Sequence, residues 1–122
     1  MSETEGTLHD EIGPVLAALA DPTRRQLLDT LAEAGQASAT RLTAYVPVSR
    51  QAVIKHLHVL EDAGLVTRRR AGREVLYRVR PEPLDISAQW LAHRAALWDR
   101  RLAAIKRAAE AQTSLVMDRK DN

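Results

Sequence analysis

The spacing of apolar residues changes at Gly64, and this change constrains the fold more than any other feature of the chain. Before it, the segment VSRQAVIKHLHVLEDAGLV (residues 48–66) repeats its apolar residues about every 3.6 positions, as an amphipathic helix does. After it, residues 65–71 and 74–80 alternate around a turn near Gly72, which predicts a two-stranded hairpin. The sequence therefore predicts a helix that is followed at once by a hairpin.

Three helices are predicted before this segment, and a fourth lies within it. The first covers residues 8–20, and Asp21-Pro22 starts the second, because aspartate caps a helix and proline suits its first position. Ser38 caps a short third helix, and a break at Pro47 separates it from a fourth over residues 49–63. Two helices joined by a short turn form the helix-turn-helix layout.

A last long helix is predicted over residues 85–111, after two prolines that end the hairpin. Residues 1–7 and 113–122 are polar, so we expect both segments to be disordered. The segment between them, residues 8–112, is predicted to form one domain. The predicted fold class is mainly α with a small β-hairpin, a winged helix-turn-helix in the order α-α-α-α-β-β-α.

Positive charge is concentrated in one part of the chain, although the formal net charge is only +2. Residues 49–80 hold eight Lys and Arg against three Asp and Glu, whereas residues 1–21 hold five acidic residues and no Lys or Arg. Such a local excess is the electrostatic footprint that phosphate binding requires. Aromatic residues make up only 3%, which argues against the stacking surfaces that bind single strands. These observations favour double-stranded DNA as the partner.

A helical wheel of residues 49–63 separates an inward face from a face that can enter a major groove. The inward face holds Ala52, Val53, His56, Leu57, Val59, Leu60 and Ala63, with His56 expected in the core or between helices. The residues predicted to contact DNA are Ser49, Arg50, Gln51, Ile54, Lys55 and His58.

The chemistry of these side chains suggests individual roles. Gln51 pairs well with adenine, Arg50 or Lys55 reaches guanine or phosphate, and His58 suits a groove or phosphate contact. Ile54 is an apolar residue on a polar face. It is either a tolerated exposed aliphatic side chain or a contact to a thymine methyl group.

The hairpin carries six arginines and one glutamate between residues 67 and 80. Arg69 and Arg70 lead into the turn, and Arg73 lies beside it. Charged residues on an exposed strand also prevent aggregation through the strand edge, and that is the structural alternative. Six arginines against one glutamate are more than that role needs. We therefore expect Arg69, Arg70 and Arg73 to contact phosphate or the minor groove.

Three stretches together resemble the ArsR/SmtB family of winged-helix repressors: ADPTRRQLLDTL (residues 20–31), the segment at residues 48–66, and RRRAGREVLYRV (residues 68–79). The resemblance implies a homodimer formed by the first and last helices, the fourth helix in the groove, and repression by blocking promoter DNA. Founding members sense metals through cysteines or through paired His, Asp and Glu ligands. This chain has no cysteine and only His93 in its last helix.

The sequence therefore looks like the non-metal branch of that family, and we expect no metal ligand and no cofactor. A site that combines His9 and Asp10 of one subunit with groups of the other remains open as an alternative.

The last helix carries apolar residues at alternating spacings of three and four. This apolar seam comprises Ala88, Leu91, Ala95, Trp98, Leu102, Ile105 and Ala109. Such a heptad pattern is typical of helices that pair with other helices. We expect a dimer interface that includes Leu16, Leu91, Trp98, Leu102 and Ile105, against the alternative that the seam packs within its own subunit.

Other functions are weaker on the sequence. No cysteine nucleophile, phosphate-binding glycine loop or ligand-spaced His/Asp/Glu cluster is present, so an enzyme is not expected. The absence of cysteine and of long apolar runs fits a cytoplasmic protein without a membrane partner. Two alternatives stay open: a winged-helix module that binds protein and no DNA, and a repressor gated by an unrecognised small-molecule inducer.

Overall fold

The computed structural model describes residues 12–121, with the backbone alone described for residues 117–121. The predictions of disorder for residues 1–7 and of a site at His9 and Asp10 fall outside the described residues. In chain order the elements are α1 (residues 12–19), α2 (Pro22–Ala34), β1 (Ala37–Ser38), α3 (Ala39–Leu42), α4 (Arg50–Asp62), β2 (Val66–Ala71), β3 (Glu74–Val79) and α5 (Glu82–Asp121). This order confirms the predicted winged helix-turn-helix.

The predicted helix caps are all formed. The Asp21 carboxylate accepts from the backbone N–H groups of Thr23 and Arg24 at 2.8 and 3.1 Å. The Ser38 hydroxyl accepts from Arg41 N at 3.2 Å, and Ser49 does the same for Ala52 N at 3.1 Å. Each cap satisfies a backbone donor that a helix start leaves unpaired, so these polar residues determine where α2, α3 and α4 begin.

The hairpin is the larger part of a three-stranded antiparallel sheet with the strand order β1-β3-β2. In the hairpin, Val66 pairs with Val79 and Ala71 with Glu74, which leaves Gly72 and Arg73 as a two-residue turn. Gly72 has φ of +64°, a conformation that glycine adopts without strain and that tight hairpin turns need. We call β2, this turn and β3 the wing.

Strand β1 was not predicted from the sequence. It consists of Ala37 and Ser38, which pair with Tyr77 and Leu76 of β3. Two residues are too few to show alternation, so no periodicity reveals them. The strand nevertheless matters, because it ties the wing to the start of α3.

The core joins the helices to the base of the wing. Its largest fully buried side chains are Leu27, Leu31, Leu42, Leu57, Leu60, Leu65, Val15, Val53 and Val66. Val59 differs from the prediction, because its side chain is 40% exposed although the wheel placed it inward. At roughly 100° per residue, Val59 lies about 120° from Val53, at the edge of the buried face.

Helix α5 is longer than predicted at both ends, since it covers Glu82–Asp121. Its start includes Pro83, which the first turn of a helix tolerates because the N–H there has no helical acceptor. Residues 113–121, expected as a disordered tail, are helical. No glycine or proline follows Pro83, so no residue that commonly ends a helix interrupts α5. The Thr113 hydroxyl donates to the Ala109 carbonyl at 2.9 Å, one helical turn earlier.

The chain divides into two compact units after Ser87. The first holds the described part of α1, the helix-turn-helix, the wing and the first residues of α5, and the second is the remainder of α5. None of the helices over the described residues combines the length and the hydropathy that a membrane crossing requires.

Candidate nucleic-acid interface

Helix α4 presents one straight exposed row of polar side chains. Gln51, Lys55 and His58 are all exposed, and their spacing of four and three places them on one side of the helix. Val53, Leu57 and Leu60 lie on the opposite side and are fully buried. The helix is therefore anchored through its apolar side while the row Gln51–Lys55–His58 faces solvent. We call this row the reading row.

Ser49 and Arg50 are exposed but already have partners within the chain. Ser49 caps α4, and Arg50 Nε donates to the Thr40 hydroxyl at 3.0 Å. Arg50 thus leans from α4 towards the start of α3. This geometry separates Arg50 from the reading row, although the sequence grouped them together.

Ile54 is not on the solvent face where the wheel placed it. Its side chain is half-buried and packs against the core. Together with Ser38, Ala39, Thr40, Arg50, Arg73, Glu74, Val75 and Tyr77 it lines a cleft of about 220 Å³. The wheel considered only α4, whereas Ile54 also contacts the core and shares its cleft with α3 and the wing. A contact of Ile54 with DNA stays a prediction.

His56 connects α4 to α2, as expected for an interhelix histidine. Its Nδ1 lies 3.4 Å from Nη1 of Arg24. Because a guanidinium can only donate, Nδ1 is the acceptor in this contact. Arg24 also donates from Nε to the carbonyl of Ala18 at 2.7 Å and lies 3.9 Å from the Asp21 carboxylate.

Asp21 is the acidic member of this junction. The hydrogen bond from the backbone N–H of Arg24 lowers the pKa of the Asp21 carboxyl below its ordinary value, while partial desolvation opposes the effect. The hydrogen bond from the backbone N–H of Thr23 and the positive charge of Arg24 act in the same direction as the first bond. Asp21 is therefore ionised at neutral pH, and it holds the end of α2 that contacts α4.

The wing places its arginines in two different environments. Arg70 and Arg73 near the turn and Arg78 on β3 are exposed, and none of them has an ion pair with an acidic side chain among residues 12–116. Arg68 forms an ion pair with Glu61 at 3.2 Å, and Arg69 donates to the side-chain oxygen of Gln36 at 3.0 Å. Within this described range, the positive charge of the wing that lacks any side-chain partner is therefore on Arg70 and Arg73 near the tip and on Arg78 in β3.

No group of three or more His, Asp or Glu side chains at metal-binding distance occurs between residues 12 and 116. The structure thus brings together no donor set for a metal in the part whose side chains it describes.

The five residues predicted for a dimer interface are all exposed in the single chain. Leu16 of α1 is 40% exposed, and Trp98, Leu102 and Ile105 of α5 are 60–66% exposed. Leu91 is 47% exposed. The large side chains of the apolar seam are therefore exposed in the single chain.

Residues 19–69, which include the helix-turn-helix, match the family model described as a helix-turn-helix domain. The transcriptional repressor SdpR of Bacillus subtilis is 30% identical over 77 residues, which cover 63% of this chain and 84% of SdpR. An ArsR-like transcriptional regulator from Rhodococcus sp. RHA1 has 45% identity and a TM-score of 0.75, with 85% of this chain and 96% of that chain covered.

The chain belongs to the ArsR family of transcriptional regulators. It is a DNA-binding regulator with the fold of that family, and the resemblance stated from the sequence is confirmed. This ArsR-family regulator is also similar to the homodimeric winged helix-turn-helix DNA-binding domain Mb0332 of Mycobacterium bovis. The two share 29% identity with a TM-score of 0.61, over 81% of this chain and 88% of that one.

Proposed function

We propose that this regulator is a homodimeric repressor that binds an inverted-repeat operator, with α4 in the major groove and the wing tip on the adjacent backbone. The observation that carries the proposal is the exposed reading row on α4 together with a wing that carries two unpaired arginines, Arg70 and Arg73, at its tip. A groove-reading surface needs solvent-facing hydrogen-bonding side chains on a helix that is fixed from behind.

Helix α4 has dimensions that fit a major groove. Its 13 residues span about 20 Å at roughly 1.5 Å per residue. Gln51 lies in the first turn, where recognition helices contact base edges, and its amide suits the donor and acceptor of adenine. Lys55 and His58 follow on the same row and extend the contact towards base or phosphate.

Arg50 has a different part in this proposal. The hydrogen bond from its Nε to Thr40 turns its guanidinium away from the reading row. A side chain held at the flank of a recognition helix suits a phosphate, because phosphate contacts fix the register of the protein on the duplex. Arg70 and Arg73 would supply the corresponding contacts from the wing tip.

The apolar seam of α5 supports a homodimer. Exposed Trp98, Leu102 and Ile105 on one helix face leave an apolar surface that association would remove from water. The similarity to the homodimeric Mycobacterium bovis domain points the same way. A two-fold axis would present two copies of α4, roughly 34–36 Å apart, which requires an operator of inverted half-sites one DNA turn apart.

A dimer bound to promoter DNA would block transcription and so act as a repressor. The relative SdpR is named as a transcriptional repressor. Such a function involves binding alone, with no chemical step, and we place it in the cytoplasm, where bacterial promoters are. A small-molecule inducer stays a prediction from the sequence.

Selection of bound fragments from genomic DNA with the purified protein tests the proposal. We expect recovered fragments to share an inverted repeat whose half-sites are about 10 base pairs apart, centre to centre. Recovery of fragments without any shared sequence would contradict it.

A further inference from the structure

Two polar contacts hold the wing at adjacent residues of β2. Arg68 Nε lies 3.2 Å from Oε2 of Glu61 on α4, and Arg69 Nη2 donates to Oε1 of Gln36, the residue before β1, at 3.0 Å. Successive residues of a strand point to opposite faces. The wing is therefore held from both faces at one level of the hairpin.

We infer that Arg68 and Arg69 are positioning residues that set the angle of the wing relative to α4, and that Arg70 and Arg73, unlike these two, contact DNA. Glu61 and Gln36 are the matching anchors. The inference rests on the proposed function and divides the arginines that the sequence treated as one group.

The position of the anchors in the hairpin supports this division. Arg68 is paired in register with Tyr77, which is buried at the base of the wing. From Arg68 to Gly72 the strand extends about 14 Å at roughly 3.4 Å per residue. Arg68 and Arg69 thus lie nearer the base of the hairpin, and Arg70 and Arg73 lie nearer its turn.

Charge leads to the same assignment. The guanidinium of Arg68 already has a carboxylate partner, so a phosphate contact would leave Glu61 without its cation beside the DNA backbone. The ion pair is also partly exposed, with 52% of the Arg68 side chain and 28% of the Glu61 side chain accessible. Exposed ion pairs of this kind add little to stability. The pair therefore orients the wing, and variants that lack it should still fold.

A charge exchange tests the inference. Arg68→Glu puts two carboxylates together and should weaken binding to a genomic fragment selected with the wild-type protein. Adding Glu61→Arg restores an ion pair of reversed polarity, with the wild-type net charge, and should return affinity to near the wild-type value. Arg73→Glu serves as the matched control, because Glu61→Arg should not rescue it. Such a cycle isolates the coupling between two residues.

A double variant that binds as weakly as Arg68→Glu alone would overturn the inference, because position 68 would then need its positive charge on DNA. An Arg68→Glu variant with wild-type affinity would overturn it as well. Circular dichroism of each variant verifies the fold. If the wild-type protein itself bound no DNA fragment, the proposed function would fail, and that result is distinct from either of these.

The dependence of affinity on salt gives a second readout. Each phosphate contact contributes close to one unit of slope in a plot of log affinity against log salt concentration. We expect Arg70→Ala and Arg73→Ala each to reduce the slope by about one unit. Arg68→Ala and Arg69→Ala should leave the slope unchanged, and a reduction of about one unit in either would refute their positioning role.

Discussion

The hydroxyl of Thr40 accepts a hydrogen bond from Nε of Arg50 at 3.0 Å, which joins the first residue of α4 to the helix before it. Both side chains belong to exposed residues, so the bond contributes to orientation more than to the core. It explains why Arg50, although next to Gln51 in sequence, leaves the row of side chains that faces the groove.

Removal of this hydroxyl should weaken DNA binding. Thr40→Val keeps the shape of the side chain but releases Arg50, at a cost of about 0.5–1.5 kcal/mol in binding to the selected fragment. Fluorescence anisotropy with labelled DNA measures this change. Thr30→Val is the control, since the Thr30 hydroxyl donates within α2 to the Gln26 carbonyl. If Thr40→Val and wild type bound DNA with equal affinity, Arg50 would not be part of the DNA interface.

Gln51 should distinguish the operator from other DNA. We expect Gln51→Ala to lose roughly 1–3 kcal/mol on the selected operator and little on random duplex, because only the base contact is lost. Gln89→Ala, an exposed glutamine of α5, should change neither value. Equal losses on both DNAs would mean that Gln51 does not read a base.

The apolar seam should control the oligomeric state. Leu102→Glu places a charge on a side chain that is 60% exposed in the single chain, so the subunit should fold while the dimer dissociates. Analytical ultracentrifugation would then show a monomer, and operator affinity should fall with it. Ala103→Glu adds the same charge away from the seam and should remain a dimer. A dimeric Leu102→Glu protein would place the interface elsewhere.

Asp21 should make stability depend on pH. Its pKa is lowered in the folded chain, chiefly by the hydrogen bond from Arg24 N, so its contribution is present at neutral pH and is lost as the pH falls through the folded-state value. Asp21→Asn keeps a capping oxygen but removes the charge. The difference in Tm between wild type and this variant should therefore be largest near neutral pH and shrink in acid. A Tm difference that does not change with pH would show that the charge of Asp21 does not contribute to stability.

Much of the fold was predictable because local chemistry determines it. Asp21, Ser38 and Ser49 mark the starts of three helices, and Gly72 marks the turn of the wing, since each satisfies a local backbone requirement. Strand β1 escaped prediction because its two residues are extended only through pairing with β3.

The candidate site was predictable only in part. Composition identifies a basic hairpin, but it does not show which arginines are paired, since the partners Glu61 and Gln36 are distant in sequence. Ile54 was misplaced for a similar reason. A wheel of one helix cannot show the core packing that half-buries this side chain, nor the cleft that it lines with residues of α3 and the wing.

Binding stoichiometry on a single recovered operator tests the central claim most directly. The account predicts that two subunits bind one inverted repeat, protect half-sites about one helical turn apart, and bind an isolated half-site far more weakly. It also predicts that Gln51→Ala reduces the preference for the operator over random duplex, whereas Arg73→Ala weakens binding to both DNAs alike. One subunit bound per site, or an unchanged preference in Gln51→Ala, would contradict the account.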